Sequence, residues 1–302
     1  MQLDGLIQAP FNCTMMGAMR GALDYYGLQV SDAVLFGASG HAFLLNIHRE
    51  LCPSGPYCWN PAPADALLAN IGLRVEPLGF FHTGSGAAER AAVEAHLRES
   101  LAAGVPCSLL NMENQLITGW DDTGFLTAQP WPGMDFPPKH LTFDTWEELG
   151  NEVHMDFRVL HRAEPADLPT AVTASLRYAV DLWRNPKTHT SENYGMGPDA
   201  YANWSAAVRD GHGGGHGSWW NAMVWSECRT RAADYFREVA HWLPPGADAE
   251  TLATEYAEIA SRLARCGDKE LDAACKLDLL ADAAERERAC LERIEALLPR
   301  LG

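Results

Sequence analysis

"GVPCSLLNMENQLITGWDDTGFLTAQPW", residues 104 to 131, decides how the front of this chain folds. It holds three short apolar runs, VPCSLLNM, NQLITGWDD and GFLTAQPW, separated by polar or Asp-rich turns. Runs of that length broken that often are strands of an antiparallel sheet. HMDFRVLHR (154–162) reads as one more strand. Upstream, CTMMGAMRGALDYY (13–26) carries Met16, Met19, Leu23 and Tyr26 at helical steps, with Asn12 placed to cap it and Gly27 to end it. SDAVLFG (31–37) is a short helix capped by Ser31, and HAFLLNIH (41–48) is an apolar run of strand length. PADALLANIGL (63–73) is a helix closed by Gly72, followed by the strand RVEPLGFF (74–81). GAAERAAVEAHLRESLAAG (86–104) is an amphipathic helix stopped by Gly104.

From Pro165 onward the pattern is helical. LPTAVTASLRYAVDLWR (168–184), GPDAYANWSAAVRDG (197–211) and WWNAMVWSECRTRAADYFREVAHWL (219–243) lead to two long final helices, 249–266 and 269–301. In the last, Leu280, Ala284, Leu291, Ile294 and Leu298 form one apolar face. The boundary falls in RAEPADLP. The expected fold is α+β over residues 1–165, helices packed on an antiparallel sheet, followed by an all-α helical domain over 166–302.

The 302 residues carry a formal charge of -17, and no basic run occurs, so neither nucleic acid nor an acidic membrane surface is an expected partner. A cationic small molecule or a basic protein is the easier guest. The N-terminal residues lack the basic and apolar regions of a secretory signal, and no stretch reaches the ~18 apolar residues of a membrane span. The chain reads as cytoplasmic, with its eight cysteines mostly reduced thiols. There is no C-x-x-C, phosphate-binding loop, dinucleotide fingerprint, G-x-S-x-G or H-E-x-x-H. No metal or other cofactor is expected.

Cys13 is the leading chemical candidate. A thiolate at a helix N-terminus is stabilised by unpaired N–H groups and the helix dipole, and the same N–H groups can hold an oxyanion. Papain-like and C39-like cysteine hydrolases and acyltransferases use this arrangement with an upstream Gln; here Gln8 lies five residues before Cys13. The plainer reading is a buried Cys opening a core helix. The segment 104–131 resembles the stretch of those enzymes that runs from G-x-P through a strand opening with the base His to a "GYDD" turn and a strand ending "DP". Aligned on Gly119-Trp120-Asp121-Asp122, the His position falls at Glu113, beside Asn114, and the Asp position at Gln129. A carboxylate with an ordinary pKa near ~4.3 is a poor base for a thiol near ~8.5.

More specifically, Cys13, YYGLQVSDAVLFG (25–37) and GASGHAF (37–43) resemble the N-terminal domain of the butirosin-biosynthesis BtrH type. YGMGPDAYANW (194–204) and the later helix through Arg229, Ala232 and Phe236 are similar to the helical domain often fused behind it. The resemblance implies a papain-like fold. In the namesake activity an acyl group moves from a carrier protein to an aminoglycoside amine, so it also implies secondary metabolism.

His41, held in SGHAF by two small residues, is the candidate replacement base; Glu113 with Asn114 is the other activating pair. His154 is a further base candidate, while His82, His96 and His161 read as surface positions. DGHGGGHGSWW (210–220) reads as a mobile Gly-rich loop, able to serve as a lid, rather than a metal tract. Candidate substrate contacts are Tyr194, Trp219, Asn221 and Trp120. Two functions follow: a Cys13-dependent amidohydrolase or acyltransferase of small-molecule metabolism, or a catalytically degenerate papain-like module that binds a small molecule or a protein. The partners expected are a small-molecule substrate, cationic or amine-bearing, an acyl carrier protein, and a second copy of the chain in a homodimer.

Overall fold

The computed structural model describes residues 1–150 and 153–301. In chain order the helices are α1 (Thr14–Tyr25), α2 (Asp32–Ala38), α3 (Ala62–Leu68), α4 (Ala87–Ala102), α5 (Leu168–Arg184), α6 (Pro198–Arg209), α7 (His216–Glu238), α8 (Ala249–Cys266) and α9 (Ala273–Leu297). The strands are β1 (Asn46–His48), β2 (Leu73–His82), β3 (Cys107–Leu110), β4 (Asn114–Trp120), β5 (Gly124–Thr127), β6 (His140–Thr142), β7 (His154–Arg162) and β8 (Tyr194–Met196). The fold is α+β. Two compact units divide the chain: Met1–Val30 with Gly72–Pro165, and Ser31–Ile71 with Ala166–Gly302. One crossing coincides with the Pro165 boundary read from the sequence; the other two enclose 31–71, which clusters with the C-terminal helices.

In the first unit a six-stranded sheet runs β2-β7-β3-β4-β5-β6, with every neighbouring pair antiparallel. The apolar runs of 104–131 are β3, β4 and β5, as their punctuation requires. α1 lies close to β4 because of two glycines one turn apart. A Cβ at Gly17 would stand 2.3 Å from the Ala9 carbonyl oxygen, and one at Gly21 would stand 2.3 Å from that of Ile7 and 2.7 Å from Leu116 Cδ1. Residues 7–9 therefore cross flush over the helix. The cap of α1 differs from expectation: Cys13, not Asn12, is the N-cap residue, and its side chain makes no capping bond. Asn12 stands one residue too early. Gly27 does end the helix, with φ +67 and the Leu28 N–H on the Leu23 carbonyl at 3.0 Å.

In the second unit HAFLLNIH is mostly not a strand. His41–Phe43 form a 3-10 turn and only Asn46–His48 pair, with β8. The cause is Arg229 on α7, which donates to the carbonyls of Ala42 (2.9 Å), Leu44 (2.6 Å) and Phe43 (3.4 Å), taking the acceptors a ladder would use. Arg229 is itself fully buried and paired with Glu287 of α9 at 2.5 Å, and the Tyr201 hydroxyl donates to the same carboxylate. Burial alone would lower the guanidinium pKa, but Glu287 holds it above its ordinary value. The buried face of α9 is accordingly Lys276, Leu280, Ala283, Glu287, Cys290, Leu291, Ile294 and Leu297, while Ala284 and Leu298 are only half-buried. The expected stripe is rotated to admit the ion pair.

The Gly-rich segment 210–220 is not an open loop. It is a 3-10 turn (His212–Gly214) running into α7. Its glycines serve close approach: a Cβ on Gly217 would stand 1.7 Å from the Leu51 carbonyl oxygen, and Lys276 Nζ donates to the Gly213 carbonyl at 2.6 Å. The lid expectation gives way to a packed helix start.

Candidate active site at the mouth of α1

The first unit gathers Gln8, Cys13, Glu113 and Asn114 around the N-terminus of α1. Gln8 is held over the helix by the Gly17 and Gly21 contacts. Its Nε2 donates to the Asn114 carbonyl and its Oε1 accepts from the Leu116 N–H, both at 2.8 Å. That two-point bond fixes the start of β4 against the segment leading to Cys13. Glu113 closes the β3–β4 hairpin and is buried, and its Oε2 accepts from the Thr14 hydroxyl at 2.6 Å. The same hydroxyl accepts from the Asn114 N–H at 3.1 Å. Thr14, the residue after the thiol, was missed from the sequence; a hydroxyl at the first helical position beside Cys13 is the signal that could have found it. Cys13 is 4% exposed.

The arrangement puts a thiol at a helix N-terminus with a buried carboxylate one residue further along the rim. A thiol so placed gains from the helix dipole. Gln8 braces the site through its amide, with one Nε2 hydrogen engaged by Asn114. Gln129, at the Asp position of the resembled frame, is bound to its own loop: Nε2 donates to the Phe136 carbonyl at 3.0 Å and Oε1 accepts from the Phe136 N–H at 2.6 Å. Trp120 stands at the opposite end of β4 from Asn114, roughly 20 Å away at about 3.3 Å per residue. It is not part of this cluster. His154 is exposed at the start of β7, beside the Phe80 ring at 6.1 Å.

The second unit holds His41, Tyr194, Trp219 and Asn221. Gly40 turns left-handed (φ +75) against the Tyr178 ring and starts the 3-10 turn that carries His41. His41 is buried, with the Phe36 ring centroid at 6.4 Å and that of Trp59 at 5.5 Å. Those segments behind the family resemblance that belong to this unit, 37–43, 194–204 and the helix through Arg229 and Phe236, meet here. Arg229 grips 42–44, Gly197 N–H donates to the Leu45 carbonyl at 3.1 Å, and the Phe43 ring lies 6.0 Å from Phe236. Tyr194 and Asn221 converge on the loop 52–58: the Tyr194 hydroxyl bonds Ser54 Oγ at 2.8 Å, and Asn221 Nδ2 donates to the Cys52 carbonyl at 3.1 Å. Burial raises the Tyr194 phenol pKa, and burial lowers that of His48, whose ring stands 5.0 Å from Tyr194. Trp219 is 37% exposed and lies beside Trp220 and His216.

No protein-family model matches the chain, and no curated protein matches it significantly. None of the eight cysteines is in a disulfide, and among the described residues no helix is long and apolar enough to cross a membrane.

Proposed function

We propose that the chain is a cysteine-dependent amidohydrolase or acyltransferase of papain-like architecture with a helical domain, related to the BtrH type and acting on a small-molecule amide or amine. The observation that carries this reading is the mouth of α1, where Cys13 is the N-cap residue and Gln8, Thr14, Glu113 and Asn114 tie that mouth to β4. In the proposed reaction the Cys13 thiolate adds to an acyl carbonyl. Backbone N–H groups at the helix start stabilise the oxyanion, and the amine or thiol leaves to give an acyl-thioester on Cys13. Water or an acceptor amine then takes the acyl group. His41 and Glu113 are the two candidate proton acceptors for the thiol. The strongly acidic chain suits an amine-bearing acceptor, and the acyl donor is a thioester of the kind an acyl carrier protein presents. A cytoplasmic setting in secondary metabolism and a homodimeric state belong to the same proposal.

The test is acyl capture. Incubated with an N-acetylcysteamine acyl thioester, the full chain should gain one acyl mass on Cys13, and Cys13→Ser should not. His41→Asn and Glu113→Gln then identify the base by which one abolishes labelling. A folded protein that takes no acyl group, and whose Cys13 alkylates no faster with iodoacetamide than Cys107, would overturn the enzyme reading. One observation favours the second reading, a degenerate binding module: Glu113, at the base position, is engaged by Thr14 as a structural acceptor would be.

A further inference from the structure

The segment CPSGPYC, residues 52–58, folds back on itself inside the second unit, and every turn of it is anchored. Ser54 accepts at its carbonyl from the N–H groups of Tyr57 (3.0 Å) and Cys58 (3.1 Å). Asn46 Nδ2 holds the carbonyls of Gly55 (2.8 Å) and Cys58 (2.9 Å), Thr190 Oγ1 holds Asn46 Oδ1 (2.7 Å), and Asn221 holds the Cys52 carbonyl. Gly55 is required, because a Cβ there would stand 2.4 Å from Asn221 Oδ1 and 2.5 Å from the Asn46 carbonyl oxygen. One thiol of this frame meets a pair of hydroxyls. Ser54 Oγ lies 2.9 Å from Cys52 Sγ and 2.8 Å from the Tyr194 hydroxyl. Cys58 is exposed and Cys52 half-buried, whereas Cys13, Cys107, Cys228, Cys266 and Cys290 are buried.

We propose that Cys52 and Cys58 form a reversible dithiol–disulfide site, oxidised by a small disulfide such as glutathione disulfide. The exposed Cys58 thiolate attacks one sulfur of the small disulfide, breaking its S–S bond and releasing one thiolate. The Cys52 thiolate then attacks the Cys58 sulfur of the mixed disulfide and expels the second. The two cysteine protons end on the two released thiols, and the electron pair lost by the protein reduces the small disulfide. The Ser54–Tyr194 hydroxyl pair steadies the Cys52 sulfur before the reaction, and the anchored turns make closure intramolecular over a short loop. The site does not involve Cys13, and it shares Tyr194 and Asn221 with the candidate substrate contacts.

The sequence offers a clean readout. Trypsin releases residues 50–74 as one peptide holding Cys52, Cys58 and no other cysteine. After treatment of the full chain with glutathione disulfide and blocking with N-ethylmaleimide, that peptide should appear unalkylated and lighter by two hydrogens. Dithiothreitol should restore two alkylatable thiols. Cys52→Ser should instead leave a stable glutathione adduct on Cys58, and Cys58→Ser should lose the closure. If both cysteines of the wild-type peptide are alkylated, if the glutathione adduct persists on wild-type Cys58, or if the bond formed joins Cys275, the proposal is overturned.

Discussion

The two units bury their glutamates in opposite ways. In the first, Glu94 accepts from the Asp144 N–H and the Trp146 indole N–H, both at 2.8 Å, and Glu113 accepts from the Thr14 hydroxyl. In the second, Glu287 is answered by a full opposite charge, the Arg229 guanidinium, which also locks three backbone carbonyls. Uncharged donors hold Glu94 in the first unit, whereas the charge pair of Glu287 with Arg229 anchors the fold of the second.

The largest effect should follow from breaking that pair. Arg229→Met strands a fully buried carboxylate and orphans the carbonyls of 42–44, a loss of about 3–5 kcal/mol in urea unfolding. The double variant Arg229→Met/Glu287→Leu should recover part of it, since no charge is then left unpaired. A single-variant loss as small as that of a surface ion pair would erase the difference between the units.

Next comes the fit of the Gln8 segment to α1. Gly17→Ala sets a Cβ against the Ala9 carbonyl, a backbone atom that cannot swing away. The expected cost is about 1–3 kcal/mol, as for overpacking elsewhere. The shift passes to Gln8, so the Cys13 alkylation rate should change in the same variant. Stability lost with an unaltered Cys13 rate would show that Gln8 does not brace the thiol.

How far this was legible in the sequence depends on how local the cause was. β3, β4 and β5 were readable because turn residues punctuate them, and Ser31 was readable as a cap because its hydroxyl accepts from Val34 three residues on, at 3.0 Å. The 41–48 run was misread because its carbonyls are taken by Arg229, some 185 residues away, and the α9 stripe because Glu287 faces that arginine. At the site, Gln8, Cys13, Glu113 and Asn114 were named from spacing and from the aligned frame. Thr14 and Ser54 were not, since a hydroxyl announces its partner only once the chain has folded.

Thr14→Val separates bracing from bystanding at a smaller scale. It keeps the shape but removes the hydroxyl shared by Glu113 and the Asn114 N–H, for about 1–2 kcal/mol in thermal or urea unfolding. Thr14→Ser should restore the wild-type value. If valine is as stable as threonine, the α1–β4 junction rests on apolar packing and Gln8 alone.

The smallest effect is a slope rather than a loss, and it probes the first unit's neutral-donor carboxylates directly. Burial raises the Glu94 pKa above that of the unfolded chain, against the opposing pull of its two N–H donors. The folded state therefore binds the proton more tightly, so this group's contribution is full below the unfolded carboxylate pKa. It declines as pH rises toward the folded value and is flat beyond it. Glu94→Gln keeps an oxygen for both donors while removing the charge, and should abolish the decline. Stability measured by urea across the carboxylate range checks this. A wild-type stability that rises with pH in step with Glu94→Gln would mean that Glu94 does not titrate as a buried acid.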